Sequence, residues 1–190
     1  MTSVLKAKLN APAAFTLSLD KIPMISTRVA VLTDIPALVA MMREFYAESN
    51  YALDARWAAE AFSVVLRDSS RGIAWIVSEG EEPMGYVVVT FRLSMEFGGS
   101  DAFIDDLFVS ARHRRRGIAR TALETAFADC RRRGVLAIHV ETGADSVAAK
   151  SLYRSFGLED RKRLLLTTRL TTRCESLLNE KHQQIDRESK

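Results

Sequence analysis

Apolar residues follow a helical or a strand period over most of the chain, and each change of period marks a new element. Helical spacing predicts one helix that Thr33 or Asp34 caps, with Pro36 in its first turn, and a second helix over residues 54–67. Runs of β-branched and aromatic residues predict four strands, over residues 28–31, 73–77, 84–91 and 102–109. A polar, glycine-containing turn between the second and third strands predicts that these two form a hairpin.

The alternation of helices and strands continues in the second half of the chain. A single apolar stripe predicts a helix over residues 117–134. Residues 135–140 form a nearly continuous apolar run, which is typical of a strand buried on both faces. A fourth helix follows, capped by Asp145 or Ser146 and ended by Gly157.

One or two closing strands are predicted at Leu158 and over residues 164–170, so that the predicted order is β-α-α-β-β-β-α-β-α-β. This order predicts one α/β (α+β) domain over residues 24–170. Residues 1–23 show no clear period and predict a poorly ordered N-terminal extension, although Lys6 and Lys8 leave a weak export signal as an alternative. Residues 171–190 predict a polar C-terminal tail.

The composition is that of a globular protein, with 47% hydrophobic and 27% charged residues among 190. Charges interrupt every apolar run before it reaches the roughly 20 residues of a membrane-spanning helix, so we expect a soluble protein. The two cysteines, Cys130 and Cys174, lie far apart and favour a reducing, cytoplasmic location. Cys130 lies on an apolar stripe and His139 within a buried strand, so we expect an inert thiol, a core histidine and no metal site.

The net charge is only +3, but eight arginines fall between Ser110 and Gly134 against two acidic residues. We therefore expect an anionic ligand there. A strand end, a basic turn and a helix start offer unpaired backbone N–H groups and the positive end of a helix dipole. Gly117 and Ala119 leave room for a pyrophosphate to approach the backbone.

Common nucleotide-binding and nucleic-acid-binding motifs are absent from the sequence. Neither a Gly-x-Gly-x-x-Gly dinucleotide fingerprint nor a Gly-x-x-x-x-Gly-Lys-Ser/Thr phosphate loop is present. A nucleic-acid-binding module is not visible either, and aromatic residues do not alternate with the arginines. What remains is a single Gly-x-Ala opening at residues 117–119.

Two motifs carry a resemblance to a known family. Arg114-x-x-Gly117-x-Ala119, after an apolar strand, resembles the acetyl-CoA pyrophosphate motif Gln/Arg-x-x-Gly-x-Gly/Ala of GNAT-superfamily N-acetyltransferases. Residues 149–158 resemble the Ala-x-x-Leu-Tyr-x-x-x-Gly-Phe ending of that family, with Leu158 in place of Phe. Ser146 stands near the position where the family usually has Asn.

The resemblance implies a GNAT-like mixed, mostly antiparallel central sheet flanked by helices. It also implies acetyl-CoA as cosubstrate, no metal, and direct attack by an amine in a ternary complex. The residues that it places against the cofactor are Leu107, Phe108, Val109, Arg114, Arg115, Arg116, Gly117, Ile118, Ala119 and Ser146.

Tyr153 is the candidate proton donor. On its apolar stripe a tyrosine is ordinarily a core residue, but here it matches the Tyr of the family's second motif. A phenol within hydrogen-bond distance of the departing thiolate would favour its release.

Asp105 and Asp106 are the candidate acceptor-binding and proton-accepting residues, with a small preference for Asp105. Their side chains should point to opposite faces of the strand unless a bulge rotates one of them. The strand from Asp105 to Val109 resembles that of diamine acetyltransferases, which implies a small cationic amine as acceptor. A salt bridge to an arginine is the structural alternative, and Glu141 is a rival base.

Other assignments stay open on the sequence. The acceptor could instead be a protein N-terminus or a lysine, and the chain could be a CoA-binding or nucleic-acid-binding protein without catalysis. A homodimer is compatible with the sequence, and the partners we expect are acetyl-CoA and a small-molecule amine. Further residues that could add acidic or aromatic surface for a cation are Glu44, Tyr46, Glu48 and Glu96.

Overall fold

The computed structural model describes residues 25–168. The extension predicted over residues 1–23, the tail predicted over residues 171–190 and Cys174 lie outside the described residues. Strand β1 (Ile25–Val29) starts three residues before its predicted position.

Five strands form one sheet in the order β1-β2-β3-β4-β5. The other four strands are β2 (Gly72–Glu79), β3 (Glu82–Ser94), β4 (Gly99–Val109) and β5 (Ala137–Val140). The first three pairings are antiparallel and the β4–β5 pairing is parallel. The predicted fold class, a mixed and mostly antiparallel sheet flanked by helices, is confirmed.

Four helices cover the two faces of this sheet: α1 (Ile35–Glu48), α2 (Ala55–Arg67), α3 (Ile118–Arg132) and α4 (Val147–Ser155). The Asp54 carboxylate caps α2 by accepting hydrogen bonds from the backbone N–H groups of Arg56 and Trp57. Helix α1 carries Pro36 in its first turn, as predicted.

Each face of the sheet has its own apolar core. One core joins α1 and α2 to the sheet through residues such as Leu38, Phe62 and Tyr86. The other joins α3 and α4 to the opposite face through residues such as Leu123 and Val87. From Tyr86 to Val89, successive residues of β3 point alternately into the two cores. A residue of β4 that pairs with one of them points to the same face of the sheet as its partner.

The parallel pairing of β4 with β5 is short. It runs from Asp101 opposite Ala137 to Ile104 opposite Val140. From there to Val109, β4 is paired with β3 on one side and has no strand of residues 25–168 on the other. The backbone of β4 beyond Ile104 therefore has an edge that β5 does not cover. Since β5 ends at Val140, no strand of the described residues covers that edge of β4 from Asp105 to Val109.

The prediction of a fifth strand buried on both faces was wrong, because all four residues of β5 are only partly buried. Within residues 25–168, β5 pairs with β4 alone and is an edge strand.

The closing strand predicted at Leu158 and over residues 164–170 is not formed in residues 158–168; residues 169 and 170 lie outside the described residues. Arg161 and Arg163 pair with Glu96 in the turn between β3 and β4, with a 2.7 Å contact for Arg163. Lys162 has a positive φ of 52°, which is incompatible with an extended strand. These contacts hold the segment beside the hairpin turn.

Candidate active site

A β-bulge in β4 shapes the centre of the site. Val88 of β3 pairs with Asp106 and the next residue, Val89, pairs with Ile104, so Asp105 is the extra residue. Val88 and Asp106 lie on the face of α1 and α2, whereas Ile104 packs into the core under α3 and α4. The bulge thus removes the alternation expected for consecutive strand residues and brings both carboxylates to the α1–α2 face.

Asp106 is held by a tyrosine from the neighbouring strand. The Tyr86 hydroxyl donates a hydrogen bond of 3.0 Å to the Asp106 Oδ2 atom. Burial raises the pKa of Asp106, the hydrogen bond from Tyr86 lowers it, and the charge of Asp105 raises it again; the net shift is upward. Asp106 is therefore oriented by Tyr86 and more ready to hold a proton than an ordinary aspartate.

Asp105 lies at the open side of the same face and is exposed. Neighbouring groups still shield it enough to raise the pKa of its carboxyl, although a side-chain hydrogen bond from Thr90 opposes that shift. The two adjacent acids thus have different surroundings, one facing solvent and one beneath it.

A tyrosine of α1, Tyr46, lies near the acids and contacts a second tyrosine in the segment after the helix. Burial raises the pKa of Tyr46 to about 12, and the charges of Asp106 and Asp105 add to that increase. The ring of Tyr51 meets Tyr46 edge to face, with centroids 6.0 Å apart, and is 69% exposed. Two carboxylates near the phenol ring of Tyr46 form an environment that suits an organic cation.

Tyr153 approaches this group from the other side of the sheet. It lies on α4 in the core beneath α3 and α4 and is 8% exposed. Burial raises the pKa of Tyr153 to about 12, and the charge of Asp106 adds to the increase. Tyr153 is therefore near enough to Asp106 to feel its charge, but it lies in the core on the opposite side of the sheet from the two acids.

The remaining acidic candidates have other contacts. Glu44 accepts a hydrogen bond of 3.1 Å from the Ser110 hydroxyl, and Glu48 accepts from Arg114, so both fasten α1 to the segment after β4. Glu96 is paired with Arg163. Glu141 directly follows β5 and is exposed, so it stays a rival base.

Cys130 and His139, which were both predicted to be core residues, have different surroundings. Cys130 is 1% exposed, and burial together with the charge of Asp129 raises the pKa of its thiol to about 11, in line with an unreactive core cysteine. The His139 side chain is 32% exposed, and its Nε2 atom lies 3.1 Å from the Asp101 Oδ2 atom. His139 is therefore only partly buried and is not the core histidine that the sequence predicts.

The turn before α3 has the shape of an anion site. Gly117 occupies the N-cap position with φ of +83°, and a Cβ built on it meets no atom within 4 Å. The backbone N–H groups of residues 115–120 find no backbone acceptor within residues 25–168. Open space beside unpaired backbone N–H donors at a helix N-terminus fits a pyrophosphate. The side chain of Ile118 is buried, so this residue can contact such a ligand only through its backbone.

Most arginines of this turn are already paired with acidic residues. Arg112 pairs with Glu82, Arg114 with Glu48 at 2.6 Å, and Arg116 with Glu79 at 2.6 Å. Arg115, with φ of +63°, has no ion pair in the described part of the chain. The pairs neutralise much of the basic stripe and fasten the turn to α1 and to the β2–β3 hairpin.

The other predicted cofactor residues lie at the end of β4 and at the start of α4. Leu107, Phe108 and Val109 lie on β4 beyond its pairing with β5. The Val109 carbonyl accepts a hydrogen bond of 2.9 Å from Arg114 Nε. Ser146 occupies the N-cap position of α4 without a capping side-chain bond, so its contact with a ligand stays a prediction.

Three residues around the two carboxylates were not predicted from the sequence. Tyr86 donates a hydrogen bond to Asp106, and Thr90 lowers the pKa of Asp105. Tyr86 and Thr90 lie on one face of β3, and their even spacing in a strand of valines was a signal that could have identified them. The third residue is Asp101, which is fully buried although charged.

No group of three or more metal-ligating side chains occurs in residues 25–168. No helix of this range has the length and apolar character needed to cross a membrane.

Comparisons with known proteins agree on the fold. The model of the acetyltransferase (GNAT) family matches residues 38–158. An integron cassette protein from the mobile metagenome of Cole Harbour Salt Marsh is 38% identical, with a TM-score of 0.70 over 76% of this chain and 90% of its own. No curated protein matches the sequence.

Two more distant solved structures share the fold. A possible acetyltransferase from Clostridium difficile 630 is 16% identical, with a TM-score of 0.69 over 77% of this chain and 98% of its own. A predicted acetyltransferase from Clostridium acetobutylicum, determined with acetyl-CoA, is 17% identical, with a TM-score of 0.66 over 76% of this chain and 96% of its own.

Proposed function

Because the chain belongs to the acetyltransferase (GNAT) family, we propose that it transfers the acetyl group of acetyl-CoA to the primary amine of a small cationic molecule. The observation that supports this proposal is the adjacent pair Asp105 and Asp106 at the bulge of β4, with Tyr153 near enough to Asp106 for that charge to raise the pKa of the phenol. A pair of carboxylates on one side and a protonated phenol on the other are the groups that amine acetylation needs.

The cofactor side of the site is built from backbone. The N–H groups at the start of α3 bind the pyrophosphate, with Arg115 as the adjacent cation. The uncovered edge of β4 from Leu107 to Val109 offers amides for the pantetheine arm and for the carbonyl oxygen of the thioester. Acetyl-CoA supplies the activated acyl group, and the Clostridium acetobutylicum relative with acetyl-CoA supports the choice of this cosubstrate.

The acceptor side is acidic and aromatic. Asp105 is open to solvent and attracts an alkylammonium, while Tyr46 and Tyr51 offer ring faces to the same charge. The resemblance of the Asp105–Val109 strand to diamine acetyltransferases supports a small polyamine-like acceptor. A lysine side chain carries the same primary ammonium, so a lysine peptide is the second acceptor to compare.

The proposed reaction needs two proton movements. The bound ammonium gives one proton to the carboxylate pair, and the neutral nitrogen forms a bond to the carbonyl carbon. As the carbon–sulfur bond breaks, Tyr153 donates its proton or a hydrogen bond to the departing sulfur. The phenol stays protonated through the neutral range because its pKa is raised to about 12.

Binding of acetyl-CoA is tested by Gly117→Val. Saturating acetyl-CoA should raise the melting temperature of the wild-type protein by about 5–10 °C, because a ligand that binds only the folded state stabilises it. A valine at Gly117 places a side chain in the cradle, so the shift should vanish. Differential scanning fluorimetry measures both.

Gly134→Val is the matched control. Gly134 also has a positive φ, +73°, with open space around its Cβ position, but it lies at the opposite end of α3. This variant carries similar backbone strain and should keep the full acetyl-CoA shift. Equal melting shifts in both variants would contradict the proposal that Gly117 lies at a pyrophosphate site. A melting shift with ATP but not with CoA would indicate that this turn binds another ligand.

A further inference from the structure

A buried carboxylate contacts an arginine and a histidine at the edge of the acceptor face. Asp101 has no exposed surface and accepts hydrogen bonds from Arg92 Nε at 2.7 Å and Arg92 Nη2 at 3.0 Å. His139 Nε2 lies 3.1 Å from the Asp101 Oδ2 atom. Arg92 lowers the pKa of Asp101, so the carboxyl is ionised.

The ionised Asp101 fixes the proton of the imidazole. A carboxylate accepts hydrogen bonds and does not donate them, so the ring nitrogen beside it, Nε2, carries the hydrogen. In the neutral ring the other nitrogen, Nδ1, then holds a lone pair and can accept a proton. The His139 side chain is 32% exposed, so solvent reaches the ring.

His139 lies on the same face as the two acids of the bulge. Its neighbour Val140 pairs with Ile104 and packs beneath α3 and α4, so His139 points to the opposite face, that of α1 and α2. It pairs with Phe103, two residues before Asp105. The spacing between strands and the rise of two residues put the Cα atoms of His139 and Asp105 about 8 Å apart, a gap that one or two waters can bridge.

We propose that His139, held by Asp101, is the proton acceptor that neutralises the acceptor ammonium, through water and the Asp105–Asp106 pair. This inference rests on the proposed function. The balance is simple: the ammonium loses one proton, the carboxylate pair passes it on, Nδ1 takes it, and the imidazolium returns it to solvent. No oxidant or further reactant takes part.

Several charged groups surround the imidazole. On β4, Asp101 faces it directly and Asp105 lies farther along, while Arg92 of β3 lies behind Asp101. Glu96 of the β3–β4 turn is near enough for its pKa to be lowered partly by His139. Arg161 and Arg163 contact Glu96. Glu141 directly follows β5, the strand that carries His139. The adjacent Asp101 carboxylate stabilises the imidazolium that forms.

The test is the pH profile of kcat/KM for spermidine in wild type and His139→Gln. With a histidine base and a bound ammonium, the wild-type value should rise with pH until the imidazole is neutral and then stay level up to the titration of the amine. Glutamine can still donate a hydrogen bond to Asp101 but cannot take a proton. Its kcat/KM should be at least tenfold lower at pH 7 and keep rising to the amine's own titration, without a plateau.

Two further measurements separate the outcomes. The acetyl-CoA melting shift should be equal in wild type and His139→Gln, which shows that fold and cofactor binding persist. Asp101→Asn should lower the plateau while His139 remains in place. An unchanged plateau and rate in His139→Gln would overturn the role of His139 and leave the acetyltransferase function standing, whereas a wild type without amine acetylation would overturn both.

Discussion

Tyr153→Phe should lower the maximal rate of acetyl transfer by about 10²- to 10⁴-fold, the range lost when a general acid is removed. Phenylalanine keeps the ring that packs beneath α3 and α4 and deletes only the hydroxyl. The departing sulfur then leaves as an unassisted thiolate. Initial rates of thiol release at saturating acetyl-CoA and amine measure the effect.

The pH dependence of the same assay adds a second check on Tyr153. Since burial and Asp106 raise the pKa of this phenol to about 12, its proton is present throughout the neutral and mildly alkaline range. The wild-type rate should therefore show no alkaline fall from Tyr153 below about pH 11. A well-folded Tyr153→Phe protein that binds acetyl-CoA and turns over at the wild-type rate would reduce Tyr153 to a packing residue.

Replacement of the paired carboxylates should produce the second large effect. Asp105→Asn should reduce turnover by about 10²-fold or more near pH 7, and rising pH should restore part of it by supplying neutral amine. Asp106→Asn should also lose activity, but to a different extent, because Asp106 is oriented by Tyr86 and Asp105 faces solvent. Rate against pH with spermidine and with a lysine peptide measures both variants.

Stability separates this role from a structural one. Burial raises the folded-state pKa of Asp106 above its unfolded value, so the folded state favours the protonated form. The stabilising contribution of that proton is present at low pH and is lost as pH rises through the folded pKa. Asp106→Asn should therefore be at least as stable as wild type at pH 7 in thermal unfolding.

A structural salt bridge would give the opposite pattern, with lower stability and no recovery of activity at high pH. Full activity in both Asn variants would exclude the carboxylate pair from proton transfer and leave Glu141, His139 acting without the pair, or a mechanism without a base.

The sequence predicted the parts of the fold that depend on local chemistry. The start of α2 near Asp54 and the glycine that opens α3 were predicted because apolar spacing marks a helix and a positive φ favours glycine. The candidate roles of Tyr153 and the two aspartates came from family motifs rather than from periodicity, and they stay predictions.

Features that depend on distant contacts were not predictable. The bulge at Asp105 is set by the register of β3 against β4, and no turn residue marks it. The missing strand over residues 158–168 reflects ion pairs to Glu96, more than sixty residues earlier. Trp57 shows the same limit: helical spacing places it among the apolar residues of α2, but the packed positions are Ala58 and Phe62, and Trp57 is 47% exposed.

The arginine turn combines both cases. Its position at a strand end and helix start was evident, but the ion pairs of Arg112, Arg114 and Arg116 link segments far apart in the chain. The sequence suggested charge-assisted anion contacts from a run of arginines, whereas the structure leaves the backbone N–H groups and Arg115 most available.

Release of free CoA from acetyl-CoA in the presence of a panel of amines, with mass spectrometry of the products, tests the central claim most directly. The wild-type protein should release thiol only when an amine is added, fastest with a small polyamine such as spermidine, and the acetylated amine should accumulate in equal amount. An acetyl-CoA-induced melting shift without thiol release or acetylated product from any amine or lysine peptide would contradict the claim and describe a CoA-binding protein without catalysis.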